Sequence, residues 1–178
     1  MTRTRGAERT LRRLCAFGAG ACMAGIFGVI FLNSLRRYTI GKSFEWGEEL
    51  PIYLGIYGMM FGAAYAYLQD RHIRFAVLVD LVPEAARRRL YAVVDLLVAA
   101  TGALLAWSGY LFAARRGGVE ASGLIGNLRR AADATGQQWL EIFGHMAFWQ
   151  TAMVLGGLLI AIAGLVKFAE RIGPGDGG

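Results

Sequence analysis

Charge is scarce in this 178-residue chain: 18% of its residues are Asp, Glu, Lys or Arg, where soluble domains carry about 25%. That scarcity leaves little material for a solvated globular surface. Cysteine is nearly absent too. Cys15 and Cys22 are the only two, and on a helix they lie about 10 Å apart along one face, beyond disulfide reach. They carry no compartment signal and read as small packing residues. Histidine occurs twice, as His72 and His145. Paired histidines on facing helices ligate haem, but the spans read below place these two at opposite faces of a bilayer about 30 Å thick. They cannot share an iron. No serine or cysteine nucleophile sits near a histidine, no glycine-rich phosphate loop appears, and no internal repeat is found. These gaps argue against an enzyme and against a bound cofactor or metal.

What the chain has in excess is apolar sequence, 56% of residues against about 45–50% in soluble domains. It is gathered into long blocks. A helix needs about 20 apolar residues to cross the hydrocarbon, and four segments qualify, at about 14–35, 50–69, 90–114 and 142–166. The first has no charge from Leu14 to Leu35, and the third is broken only by Asp95. A cleaved signal peptide ending near Ala19-Gly20-Ala21 is the rival for the first block. Its apolar core would be shorter than the usual 7–15 residues. The expected fold is therefore an all-α membrane protein with four transmembrane helices, in one domain over 14–168. A basic arm (1–13) precedes it and a disordered tail (169–178) follows. Between the second and third spans, residues 74–82 are apolar, too short to cross and flanked by charge, which suits a short amphipathic helix lying on the membrane surface. The 115–141 stretch is polar and repeatedly interrupted by glycine, and its role cannot be read.

The net charge of +6 belongs to the flanks of these blocks, so it is a topology signal and not a nucleic-acid footprint. Twelve Lys and Arg fall on the side of the N-terminal arm, the 70–89 loop and the tail; seven fall on the other. The positive-inside bias places both termini in the cytoplasm. Helices in lipid associate through small residues that let backbones approach. Gly18, Ala21, Gly25 and Gly28 form such a stripe in the first span, Gly55, Gly58 and Gly62 in the second, and Gly156, Gly157, Ala161 and Gly164 in the fourth. Ionisable groups inside spans usually mark an ion path, and here Asp95 is alone. Its expected role is structural, snorkelling to the cytoplasmic face or meeting Arg88 or Arg89.

From Arg37 to Arg89 the sequence resembles the small, DctQ-like membrane subunit of tripartite ATP-independent periplasmic (TRAP) transporters. The resemblance rests on Arg37-Tyr38, then Phe44-Glu45-Trp46-Gly47-Glu48-Glu49-Leu50, then Gly62-Ala63-Ala64, His72-Ile73, and Pro83 with Arg87, Arg88 and Arg89, in that order and at the family's spacing. It implies a scaffold subunit of the bacterial inner membrane, with no catalytic residue and no cofactor. The partners it implies are a large membrane subunit that carries substrate and sodium and a periplasmic substrate-binding protein, with an organic acid as the cargo. A free-standing four-span assembly factor or small exporter is the alternative. The candidate interface residues are Arg37, Trp46, Glu48, Glu49, Gly58, Gly62, His72 and Pro83. Among them Arg37 is expected to pair with Glu48 or Glu49 where spans one and two meet. Trp46 is expected to anchor in the membrane interface, and His72 to meet Asp70 or lipid phosphate.

Overall fold

The computed structural model describes residues 2–69 and 83–172, and every regular element among them is helical. Helix α1 runs Thr2–Ile40 and a 3₁₀ turn covers Glu45–Gly47. Helix α2 is Glu49–Leu68 and α3 is Glu84–Arg116. An additional helix, α4, occupies Ser122–Thr135, a second 3₁₀ segment covers Gln138–Gly144, and α5 is Met146–Ile172. The expected surface helix at 74–82, and His72 with it, lie outside the described residues.

Several boundaries differ from the sequence reading. Residues 2–13, the basic segment, are helical and continuous with the apolar part of α1. Helix α5 continues past the last apolar block, so residues 169–172 are helical and not part of a tail. The unread 115–141 stretch is mostly α4, whose end is set by Gly136 at φ +70. That left-handed conformation is one glycine adopts without penalty.

Among the described residues three helices are long and apolar enough to cross a membrane, Gly6–Ile40, Ala86–Arg116 and Met146–Ile172. Helix α2 is not among them. It has 20 residues, but Tyr53, Tyr57, Tyr65 and Tyr67, with Gly55, Gly58 and Gly62, dilute its hydropathy.

Contacts along their lengths give the helices alternating directions. Gly18 of α1 faces Phe61 of α2, and Gly25 faces Leu54, so α1 and α2 are antiparallel. Tyr57 reaches Thr151 and Gly156 faces Met60, so α2 and α5 run the same way. Gly109 faces Met153 and Gly164 faces Ala99, so α3 opposes α5. The start of α1 and the end of α5 therefore lie at one end of the bundle.

The α3–α5 contact is the closest. A Cβ added at Gly157 would lie 2.7 Å from the Gly102 carbonyl oxygen, and one at Gly102 would lie 2.8 Å from that of Gly157. Ala99, Gly102, Ala106 and Gly109 recur every three or four residues, which lines them along the α3 face that receives α5. The fourth-span stripe is thus used internally, against a matching stripe of small residues in α3. In the α1–α2 pair, Gly18, Gly25 and Gly58 sit in contact, whereas Gly28, Gly55 and Gly62 have open space. Away from these seams the bundle exposes large apolar side chains, such as Phe17 at 79% and Leu104 at 66%.

The packing generates a direct test. Gly157→Ala should lower the thermal stability of the purified protein by about 1–3 kcal/mol, the usual cost of overfilling a packed contact. Gly55→Ala should leave stability unchanged or raise it by up to about 1 kcal/mol, since nothing obstructs the added methyl and helix propensity improves. Equal effects of the two changes would contradict the assigned α3–α5 seam.

Candidate functional site

The polar groups of the bundle collect at its two ends. At the end shared by the start of α1 and the end of α5, Asp95 of α3 is only 2% exposed. Helical spacing turns it toward α5, on the same stripe as Ala99 and Gly102. There its Oδ2 accepts from Arg171 Nε, and its Oδ1 accepts from the Tyr67 hydroxyl of α2 at 2.5 Å. The Arg171 guanidinium also lies 4.6 Å from the centre of the Tyr91 ring, and the Arg171 carbonyl accepts from Arg88 Nε at 2.6 Å. One turn earlier on α5, Lys167 is buried; its Nζ is 3.4 Å from Glu8 of α1 and 3.8 Å from Glu170. All four long helices thus contribute a polar side chain to one cluster.

This revises the reading of Asp95. It neither snorkels nor pairs with Arg88 or Arg89; its cation comes from α5. Lys167 and Arg171, which composition assigns to a solvated flank, are partners of buried or half-buried acids. A carboxylate in such surroundings needs both a cation and hydrogen bonds to offset its lost hydration, and Asp95 has both.

At the opposite end the organising group is Glu49. Its Oε1 accepts from Ser122 Oγ at 2.8 Å and its Oε2 from the Gly123 backbone N–H at 3.2 Å. Helix starts carry unpaired N–H groups and a partial positive charge, so a carboxylate there satisfies both. No side chain of α4 or its own flanking residue caps it; Glu49 does so from α2. A Cβ on Gly123 would fall 2.7 Å from the Glu45 carbonyl oxygen, so this approach requires glycine. Beneath the cap Ala121, Leu124 and Trp149 form an apolar cluster joined by Trp46, Tyr53, Tyr57, Leu128 and Phe148. The Tyr57 hydroxyl donates to the Phe148 carbonyl at 2.7 Å, and Trp149 Nε1 donates to that of Phe143 at 2.9 Å.

The expected Arg37–Glu48 or Arg37–Glu49 pair is not formed. Glu49 is engaged with α4, and Arg37 and Glu48 are exposed, neither making an ion pair among the described residues. One residue earlier, Arg36 turns toward the loop, its guanidinium 4.1 Å from the centre of the Phe44 ring. Asn33 holds the same loop by accepting from the Phe44 N–H at 2.7 Å. Trp46 stacks on Phe44 at 4.8 Å and packs toward α4. Gly58 meets Cys22 across the α1–α2 contact, and Gly62 faces open space. Pro83 precedes α3 and accepts from the Arg87 N–H at 2.9 Å. No group of three or more His, Cys, Asp or Glu that would hold a metal occurs among the described residues.

Residues 26–173 match the sequence profile of the DctQ component of the tripartite ATP-independent periplasmic transporters. The chain belongs to this family. A DctQ component is part of a membrane transporter and not an enzyme, and the resemblance read from Arg37 to Arg89 is borne out over most of the chain. Over 79 residues this DctQ component is also 32% identical to the sialic acid TRAP transporter permease protein SiaT of Haemophilus influenzae (strain 86-028NP). That match takes in 44% of this chain and only 13% of the relative's length.

The Asp95 cluster makes a quantitative prediction. Arg171→Gln leaves a buried carboxylate without its cation and should cost about 3–5 kcal/mol, read as a fall in the unfolding midpoint in mild detergent. Adding Asp95→Asn to that variant should recover more than half of the loss. A double variant damaged by the sum of the two single effects would contradict the pairing.

Proposed function

We propose that this DctQ component is the fixed small subunit of a TRAP-type secondary transporter in the bacterial inner membrane. It would hold a large membrane subunit in place during sodium-coupled uptake of an organic acid, delivered by a periplasmic binding protein. The observation that carries the reading is the cluster of Glu8, Tyr67, Asp95, Lys167 and Arg171. It joins all four long helices at one end, as suits a body that keeps its shape. Its acids and cations are engaged with one another, and such mutual pairing favours a structural role over an ion path.

In this reading α2 is the fourth crossing. It extends from Glu49, which touches Ser122 just beyond the end of α3, to Tyr67, which touches Asp95 near the start of α3. It therefore covers most of the height of a helix that is apolar enough to cross. Its 20 residues reach about 30 Å, the thickness of the hydrocarbon. Both termini are placed in the cytoplasm, since twelve of the nineteen Lys and Arg lie on that side. That orientation puts Glu49, α4 and the aromatic cluster at the periplasmic face. The exposed Arg37 and Glu48, and the open α2 face at Gly55 and Gly62, are surfaces for the partner subunit. Organic-acid and sodium chemistry rest on the family resemblance and would reside in the partners.

Affinity purification of the tagged full chain from its native membrane in mild detergent tests the reading. A large polytopic transport subunit should co-elute, and deletion of the gene should abolish uptake by that system. Recovery of the chain alone, with uptake intact in the deletion strain, would overturn the proposal.

A further inference from the structure

The second 3₁₀ segment, Gln138–Gly144, carries apolar surface that the fold leaves uncovered. Side chains three apart eclipse in a 3₁₀ helix, so Trp139 and Ile142 lie on one side, 54% and 58% exposed. Glu141, the one charge in the segment, is a third of a turn from Ile142 and lies 3.9 Å from Arg129 of α4. The Trp139 indole N–H donates to Gln137 Oε1 at 3.1 Å. Its donor is satisfied, so the ring can leave water without an unpaired polar group. Helix α4 turns its own apolar side inward, with Leu124, Ile125 and Ala132 buried.

The segment does not project away from the bundle but sits level with the first turn of α5. His145, between the two, is extended, and the chain turns back there. The Phe143 carbonyl accepts from Nε1 of Trp149, and the Phe143 ring meets that of Phe148 at 4.6 Å. Trp139 continues the line, its ring 5.9 Å from that of Phe143. Ring contacts thus lead without a break from the exposed Trp139 through Phe143, Phe148 and Trp149 to Tyr53. No charge occurs on α5 from Met146 to Val166, a length of about 30 Å that matches the hydrocarbon. The first turn of α5 therefore marks the boundary between hydrocarbon and headgroups, and the aromatic line holds Trp139 at that height.

We infer that Gln138–Gly144 docks on the bilayer surface, with Trp139 and Ile142 inserted at the headgroup–acyl boundary beside the start of α5. The occupant follows from position. The segment runs directly into a helix apolar enough to cross, and its exposed pair is held where that helix meets the headgroups. Tryptophan suits that boundary, with an apolar ring and a polar N–H. A water-soluble partner would have to reach to headgroup level to cover the same pair. Interfacial segments bury their apolar side about 5–10 Å deep, within reach of these two side chains. The 115–141 stretch then has a role: α4 packs over the segment and keeps its exposed side turned to lipid. The inference rests on α5 crossing a membrane. It holds whichever side of the membrane this end of the bundle occupies and whichever subunit the chain holds.

Depth-dependent fluorescence quenching of the full chain in phosphatidylcholine vesicles tests it. A fluorophore is attached at Ile142→Cys, in a chain also carrying Cys15→Ala and Cys22→Ala. Nitroxide lipids labelled near the glycerol should quench it more strongly than lipids labelled near the chain end. The order should reverse for Leu104→Cys, an exposed position about 18 Å below the end of α3. Asp133→Cys, on the exposed side of α4, should respond to aqueous iodide and to neither lipid. A second reading leaves the native cysteines in place: brominated phosphatidylcholine should quench the tryptophan emission of the unaltered chain more than that of Trp139→Phe. The site is overturned if lipid nitroxides quench the label at 142 no more than the label at 133, or if removing Trp139 leaves the quenched fraction unchanged. It is overturned equally if the large subunit, once co-purified, shields position 142 from lipid, since the surface would then belong to a protein. The vesicle measurement needs the chain alone, so a failed lipid site is distinguishable from a failed scaffold.

Discussion

Asp95 is a carboxylate on a helix that is otherwise apolar enough to cross a membrane, and its burial constrains much of the bundle. An uncompensated charge in such surroundings costs several kcal/mol, so whatever carries the matching cation must be brought to it. Here that is Arg171, near the last turn of α5, assisted by Tyr67 at the end of α2. Once Arg171 is held there, Lys167 one turn back falls beside Glu8 of α1. A single buried acid therefore fixes which helix ends converge and how far α5 must continue past its apolar core. Buried ion pairs add little net stability over a well-packed apolar contact; on this account the cluster specifies the arrangement.

Between the ends, charge has no part. Within lipid, helices gain nothing hydrophobic from touching, and close association depends on small residues. Gly102, Gly157 and Gly164 let the α3 and α5 backbones meet, and Gly58 lets α2 reach Cys22. At the opposite end the solution changes again, to a carboxylate at a helix start above an aromatic cluster. Glu49 couples α2 to α4, the amphipathic helix outside the apolar bundle.

The apolar blocks and the glycine stripes were legible because both depend on local spacing. The partners of the polar groups were not. Arg88 and Arg89 are near Asp95 in sequence, whereas Arg171 is 76 residues away, and only the direction of the Asp95 side chain decides between them. Glu49 and Ser122 are 73 residues apart for the same reason. The choice of Arg36 over Arg37 at the loop is one helical step, about 100° of rotation, which an apolar block without a polar face does not set. Helix α4 did leave a signal: Leu124, Ile125, Leu128 and Ala132 recur at helical spacing and are the side it buries. Its glycines at 123 and 126 masked that period. The family resemblance supplied the role, which no spacing in the spans would have done.

The central claim is that the four long helices keep one arrangement while the transporter works. Gly58 offers the most direct measurement, because a Cβ built there lies 3.2 Å from the Cβ of Cys22, within a few tenths of an ångström of the about 3.5–4.5 Å that a disulfide spans. In a variant carrying Gly58→Cys with Cys15→Ala, mild oxidation should link α1 to α2, and substrate uptake by the assembled complex should match that of the same variant kept reduced. Uptake that stops on oxidation and returns on reduction would show that these helices must move against each other, and would contradict the account.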